Sequence, residues 1–213
     1  MSPRKGIEES IENLPTQGID PISRNQKALR DHCLKRDGYR CVAYRLWSGY
    51  HKYPDGARTT SLQAAHIIPF SLGSFNHKDK NDVKRHHNTW VSINRYFPSL
   101  VKMGNDSESL IDERNLMMLD KLIHDELGAF RFAFIATGIA NQYEIKTYKD
   151  TFSAQFHHLP ADRIVMFCLH EGNWDLPDPE LLRIHAALAE FFHMSGHGER
   201  IQKVLRDFEE LGV

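Results

Sequence analysis

The sequence predicts an α+β domain: two strands and a helix carrying a His–Asn–His series, with a long helical insertion, additional antiparallel strands and C-terminal helices. Three observations predict it. Residues 61–68 (SLQAAHII) form an apolar strand that holds His66 and is stopped by Pro69. Asn115 opens residues 116–127, read as a helix that carries His124 and is stopped by Gly128. Three β-rich runs then precede an amphipathic helix over 180–194.

Residues 1–23 are polar, contain Pro15 and Pro21, and read as a flexible lead-in with a short helical stretch at 6–14. Over 24–37, Ala28, Leu29, Cys33 and Leu34 form a narrow apolar stripe and Gly38 is the stop, so a helix is expected. Residues 39–46 (YRCVAYRL) are β-rich in composition and read as the first strand. Ser, Gly and Pro between 48 and 56 mark a long loop before the strand over 61–68. The insertion, 70–112, has a polar first part. Trp90, Ile93, Phe97 and Leu100 then recur at helical spacing over 89–101, broken near Pro98, and a polar turn follows at 104–109. Residues 130–135 and 143–148 alternate and are expected to pair as a meander, and 163–169 is a more continuously apolar third strand. In the helix over 180–194, Leu181, Ile184, Leu188, Phe191 and Phe192 line a buried side, between Pro179 at the start and Gly196 past the end. Residues 199–211 read as a last helix. The organisation expected is a lead-in over 1–23 and one domain over 24–213, its core spanning about 36–130.

Hydrophobic residues make up 41% of the 213, enough for a proper core, which excludes global disorder. No apolar run reaches the ~20 residues of a membrane helix, and MSPRKGIEESIENLPTQ holds no apolar stretch of the secretory kind. An intracellular protein, cytoplasmic or nuclear, is expected, with no membrane partner. Cys33, Cys41 and Cys168 make neither a disulfide framework nor a C-x-x-C pair, and are expected as buried or half-buried free thiols. The net charge of −1 argues against bulk coating of nucleic acid, yet residues 24–58 hold nine Lys/Arg against three Asp. Arg30, Lys35, Arg36 and Arg40 in that stretch are candidate phosphate contacts; the competing reading is a solvated basic helix face.

His66 is the candidate general base, because a strand end fixes the imidazole direction and an unperturbed pKa of about 6.5 suits neutral pH. The competing reading is a satisfied core histidine. Asn115 could orient His66, hold the loop through its amide, or cap the helix that follows. His124 could place one imidazole nitrogen on a metal or pack at the edge of the helix stripe. His86–His87 and His157–His158 diverge by geometry and read as polar surface, and His185 and His193 are too far apart for one ion.

RDGYRC at 36–41, AAHIIPFSLG at 64–73 and ERNLMMLDKLIHDELGAFRFAF at 113–134 resemble the HNH nuclease family, and the tail over 176–205 is similar to HNH proteins abundant in filamentous fungi. The resemblance implies a ββα-metal (His-Me finger) core and a metal-dependent endonuclease acting on DNA in preference to RNA. It implies His66 as base, Asn115 as the middle Asn, and His124, with Asn115, on the metal. The implied cofactor is one divalent ion, Mg²⁺ first, with Mn²⁺ or another divalent ion as a substitute. The sequence departs from the family at Ala65, Leu127 and Gly128, where ligand or aromatic residues are usual; Asp112, Asp120 and Asp125 are candidate extra ligands. Two alternatives stay open: a catalytically degenerate nucleic-acid or protein binding module, and a repurposed enzyme on a non-nucleic substrate.

Overall fold

The computed structural model describes residues 21–68, 79–98, 112–148 and 157–194. The expected helices at 6–14 and 199–211 and the turn at 104–109 lie outside the described residues, as do 1–20 of the lead-in.

Helix α1 (Pro21–Arg36) begins three residues before its expected start and buries Leu29, Cys33 and Leu34 against the core. Gly38 ends it with φ 65°, and a Cβ there would lie 2.7 Å from the His170 ring, so glycine is required twice over. The expected strand over 39–46 is corrected. Cys41 N–H donates to Leu46 O and Arg45 N–H to Cys41 O, folding the segment into a turn, with φ 57° at Tyr39 and 59° at Arg45. Its β-like composition reflects burial: Cys41, Val42, Ala43, Tyr44 and Leu46 all enter the core. Two short strands follow, β1 (Trp47–Ser48) and β2 (Thr59–Thr60), paired in parallel.

Strand β3 (Leu62–His66) pairs antiparallel with β4 (Leu116–Asp120), from Leu62 opposite Asp120 to His66 opposite Leu116. Between them lie α2 (Lys80–Tyr96) and a 3-10 turn at Glu113–Asn115. α2 takes in the polar first part of the insertion as well as the start of the expected helix over 89–101, and ends at Tyr96, before Phe97. The helix expected over 116–127 starts later, as α3 (Lys121–Gly128). Leu and Met are good helix formers, but Leu116–Leu119 are fully buried and bonded to β3, and that pairing overrides their weak intrinsic preference. Asp120 therefore caps the helix, accepting from Leu122 N–H at 3.0 Å, and Asn115 does not.

β5 (Phe132–Ala136), β6 (Gln142–Thr147) and β7 (Ile164–Met166) form the expected antiparallel sheet, in that order. Helix α4 (Pro179–Met194) packs on β5 through Ala186 and Ala189, and Phe192 meets Phe130 edge-on. Phe191, expected inside, is exposed. Cys168, expected at least half-buried, is exposed too, while Cys33 and Cys41 are buried and burial pushes their thiols up to about 12 and about 11. One apolar cluster joins α1, the 41–46 turn, β3, β4, α3 and the sheet face of Phe132, Phe134 and Tyr143. No described helix is long and apolar enough to cross a membrane.

Candidate active site

His66 is the last residue of β3 and is half-buried. Burial, and next the charge of nearby His124, pull its imidazole down to about 4. It is therefore neutral at pH 7 and carries a lone pair, but burial takes it below the value of about 6.5 that suits a base at neutral pH and makes it a weaker proton acceptor than a free imidazole.

Asn115 braces the chain just beyond His66. It is fully buried; its Oδ1 accepts from Ile68 N–H at 2.9 Å and its Nδ2 donates to Ile68 O at 3.0 Å. Its carbonyl also accepts from Ile67 N–H at 2.9 Å. Both bonds fit a hold on the loop that follows His66.

His124 lies on the second turn of α3. Its Nδ1 is 2.8 Å from Gln63 Oε1, on the neighbouring strand. The β3–β4 register sets Gln63 opposite Leu119, just before the cap of α3, so the two side chains meet without a long loop between them. His66, Asn115 and His124 thus gather around one strand pair and the helix that follows it.

Arg36 is a correction. It was expected at a phosphate, but it is fully buried. Its Nε and Nη2 bond both Asp37 carboxylate oxygens, Nη1 donates to Glu113 O and Asp175 O, and Nη2 also donates to Leu116 O. All five N–H groups are directed inward. Asp37 in turn accepts from Met118 N–H at 2.8 Å, so the pair ties α1 to β4. Arg30 and Lys35 are half-buried; Arg30 reaches Leu62 O at 3.5 Å, while the Arg40 guanidinium lies 3.8 Å above the Trp47 ring.

Among the described residues, no three His, Cys, Asp or Glu side chains converge as a metal site. Asp112 pairs with Arg114, and Asp120 caps α3 and accepts from Thr60 Oγ1, so these two weighed ligands face other partners. A single imidazole nitrogen of His124 would leave most of a divalent ion's shell to water or phosphate oxygen.

Residues 41–135 match the HNH endonuclease family. The HNH segment runs from the 41–46 turn to β5 and contains His66, Asn115 and His124 together, whereas the tail over 176–205 lies outside it. The match points to nuclease or nucleic-acid-related chemistry. No curated protein and no solved structure matches the chain. Gln63 and Asp37 escaped the reading of the sequence. Gln63 stands 61 residues from its partner, and only the strand register brings the two together. Asp120 did carry a signal, an Asp at the head of a short amphipathic run.

Proposed function

We propose that the protein is a divalent-metal-dependent endonuclease that hydrolyses phosphodiester bonds in DNA, with His66 as general base. The placement of a neutral His66 beside His124, inside the HNH segment, carries this reading. His66 accepts a proton from the attacking water, the new O–P bond forms, and the P–O bond to the leaving oxygen breaks. Asn115 holds the backbone after His66 so that the ring keeps its direction. His124 would hold the ion, Mg²⁺ in the first place. The bound ion supplies charge stabilisation for the phosphate and the leaving oxygen. Arg30, Lys35 and Arg40 remain the candidate phosphate contacts; Arg36 does not.

The test is nicking of supercoiled plasmid with Mg²⁺, Mn²⁺ or EDTA, beside His66→Ala. Cleavage that needs metal and falls by about 10²–10⁴ in the variant is the expected result. No cleavage by the folded protein with either ion would sink the reading, and cleavage that survives in the variant would remove His66 as base.

One observation favours a second reading, a degenerate binding module. Ala65 has no ligand atom, and Asp112 and Asp120 are turned to other partners. Metal-independent binding of duplex DNA without turnover would select it.

A further inference from the structure

We propose that Gln63 is a positioning residue: its amide oxygen accepts the Nδ1 proton of His124 and so fixes the tautomer whose lone pair sits on Nε2. The metal half of this inference rests on the nuclease reading; the tautomer half does not.

A neutral imidazole carries one proton on two nitrogens, and the partner of one nitrogen decides which. Gln63 Oε1 is an acceptor only, and it stands 2.8 Å from His124 Nδ1. The proton therefore belongs on Nδ1, which leaves Nε2 as the ligating or accepting atom. The anchor is stiff on both sides. Gln63 belongs to β3 and is registered opposite Leu119, and α3 is started by the Asp120 cap one residue later. A strand and a capped helix hold the pair, so ring direction and tautomer are set together before any ion arrives. Ring orientation by a partner on the far nitrogen raises ligand basicity, and its loss typically weakens metal binding about 10-fold or more.

The first experiment reads the tautomer without metal, from long-range ¹H–¹⁵N correlations of the His124 ring at pH 7.5. The expected pattern has the proton on Nδ1, and a proton on Nε2 in the wild-type chain overturns the proposal. Gln63→Met removes the acceptor, and Gln63→Glu keeps one. With backbone spectra confirming that both fold, Gln63→Met should lose the Nδ1–H preference and bind Mn²⁺ about 10-fold more weakly. Gln63→Glu should restore both. A Gln63→Met chain with the wild-type tautomer and wild-type Mn²⁺ affinity overturns the proposal. If the wild-type chain binds no Mn²⁺, the metal half fails together with the nuclease reading. An Nδ1–H pattern that Gln63→Met abolishes still supports the positioning role by itself.

Discussion

Arg36 and Lys35 are neighbours at the end of one helix and have opposite fates. Lys35 stays half-exposed, while Arg36 turns inward and bonds Asp37, Glu113, Leu116 and Asp175. Burial alone works against its charge, but the hydrogen bond and charge of Asp37 outweigh it and hold the guanidinium above its ordinary range. Arg36→Met should therefore cost about 3–5 kcal/mol, read as a lower urea midpoint, because it leaves Asp37 buried without its partner. Lys35→Gln should leave the midpoint within about 0.5 kcal/mol and, under the proposed nuclease function, reduce the salt slope of DNA binding by about one. Equal losses of stability in the two variants would contradict this division. Asn115→Ala removes both bonds to Ile68 from a fully buried site. It should destabilise by about 2–4 kcal/mol, on the order of 1–2 kcal/mol for each bond, and lower turnover with His66 still in place.

The working element is the strand pair β3–β4 followed by α3. A one-residue slip in the register would turn His66 to the opposite face, so the core contacts of Leu62, Ala65 and Leu116–Leu119 also fix the site. Asp120 marks the joint between β4 and α3, closing the strand at Leu62 and capping the helix at Leu122. Asp120→Ala should cost about 1 kcal/mol in unfolding free energy and loosen the first turn of α3. Hydrogen exchange should quicken at the amides of Leu122 and Ile123 before it changes in β5; uniform quickening would show a global effect instead. The sequence made the strand of His66 legible. It misplaced the second strand, because Leu116–Leu119 have a composition that suits either state and only pairing with a distant segment decides between them. The 39–46 turn failed for a related reason: burial on every side looks like a strand when composition alone is read.

Two histidines link the whole molecule to pH. Burial lowers both His66 and His185 to about 4. His185 is buried against Phe130, and its Nε2–H donates to Leu127 O at 3.0 Å. Both rings are neutral in the folded chain, while in the unfolded chain they take up protons near pH 6.5. The unfolded state then binds more protons between pH 6.5 and about 4, and stability present above 6.5 is lost as pH falls through that window. The slope approaches about 1.4 kcal/mol per pH unit for each group. Urea midpoints at pH 7.5, 5.5 and 4.5 should show the fall, and His185→Gln should flatten it. An unchanged slope in that variant would assign the acid sensitivity to carboxylates.

From the sequence alone came the mixture of helices with small sheets, the His–Asn–His order, the meander of β5 and β6, and the amphipathic α4. Each follows from local periodicity, turn residues or motif order, which the chain carries without reference to its neighbours. The tertiary structure alone decided that Arg36 is a buried tie, that Asn115 grips Ile68, and that Gln63 meets His124. Those outcomes depend on strand register and on how far each polar group is removed from water, and both are set by residues far away in the chain.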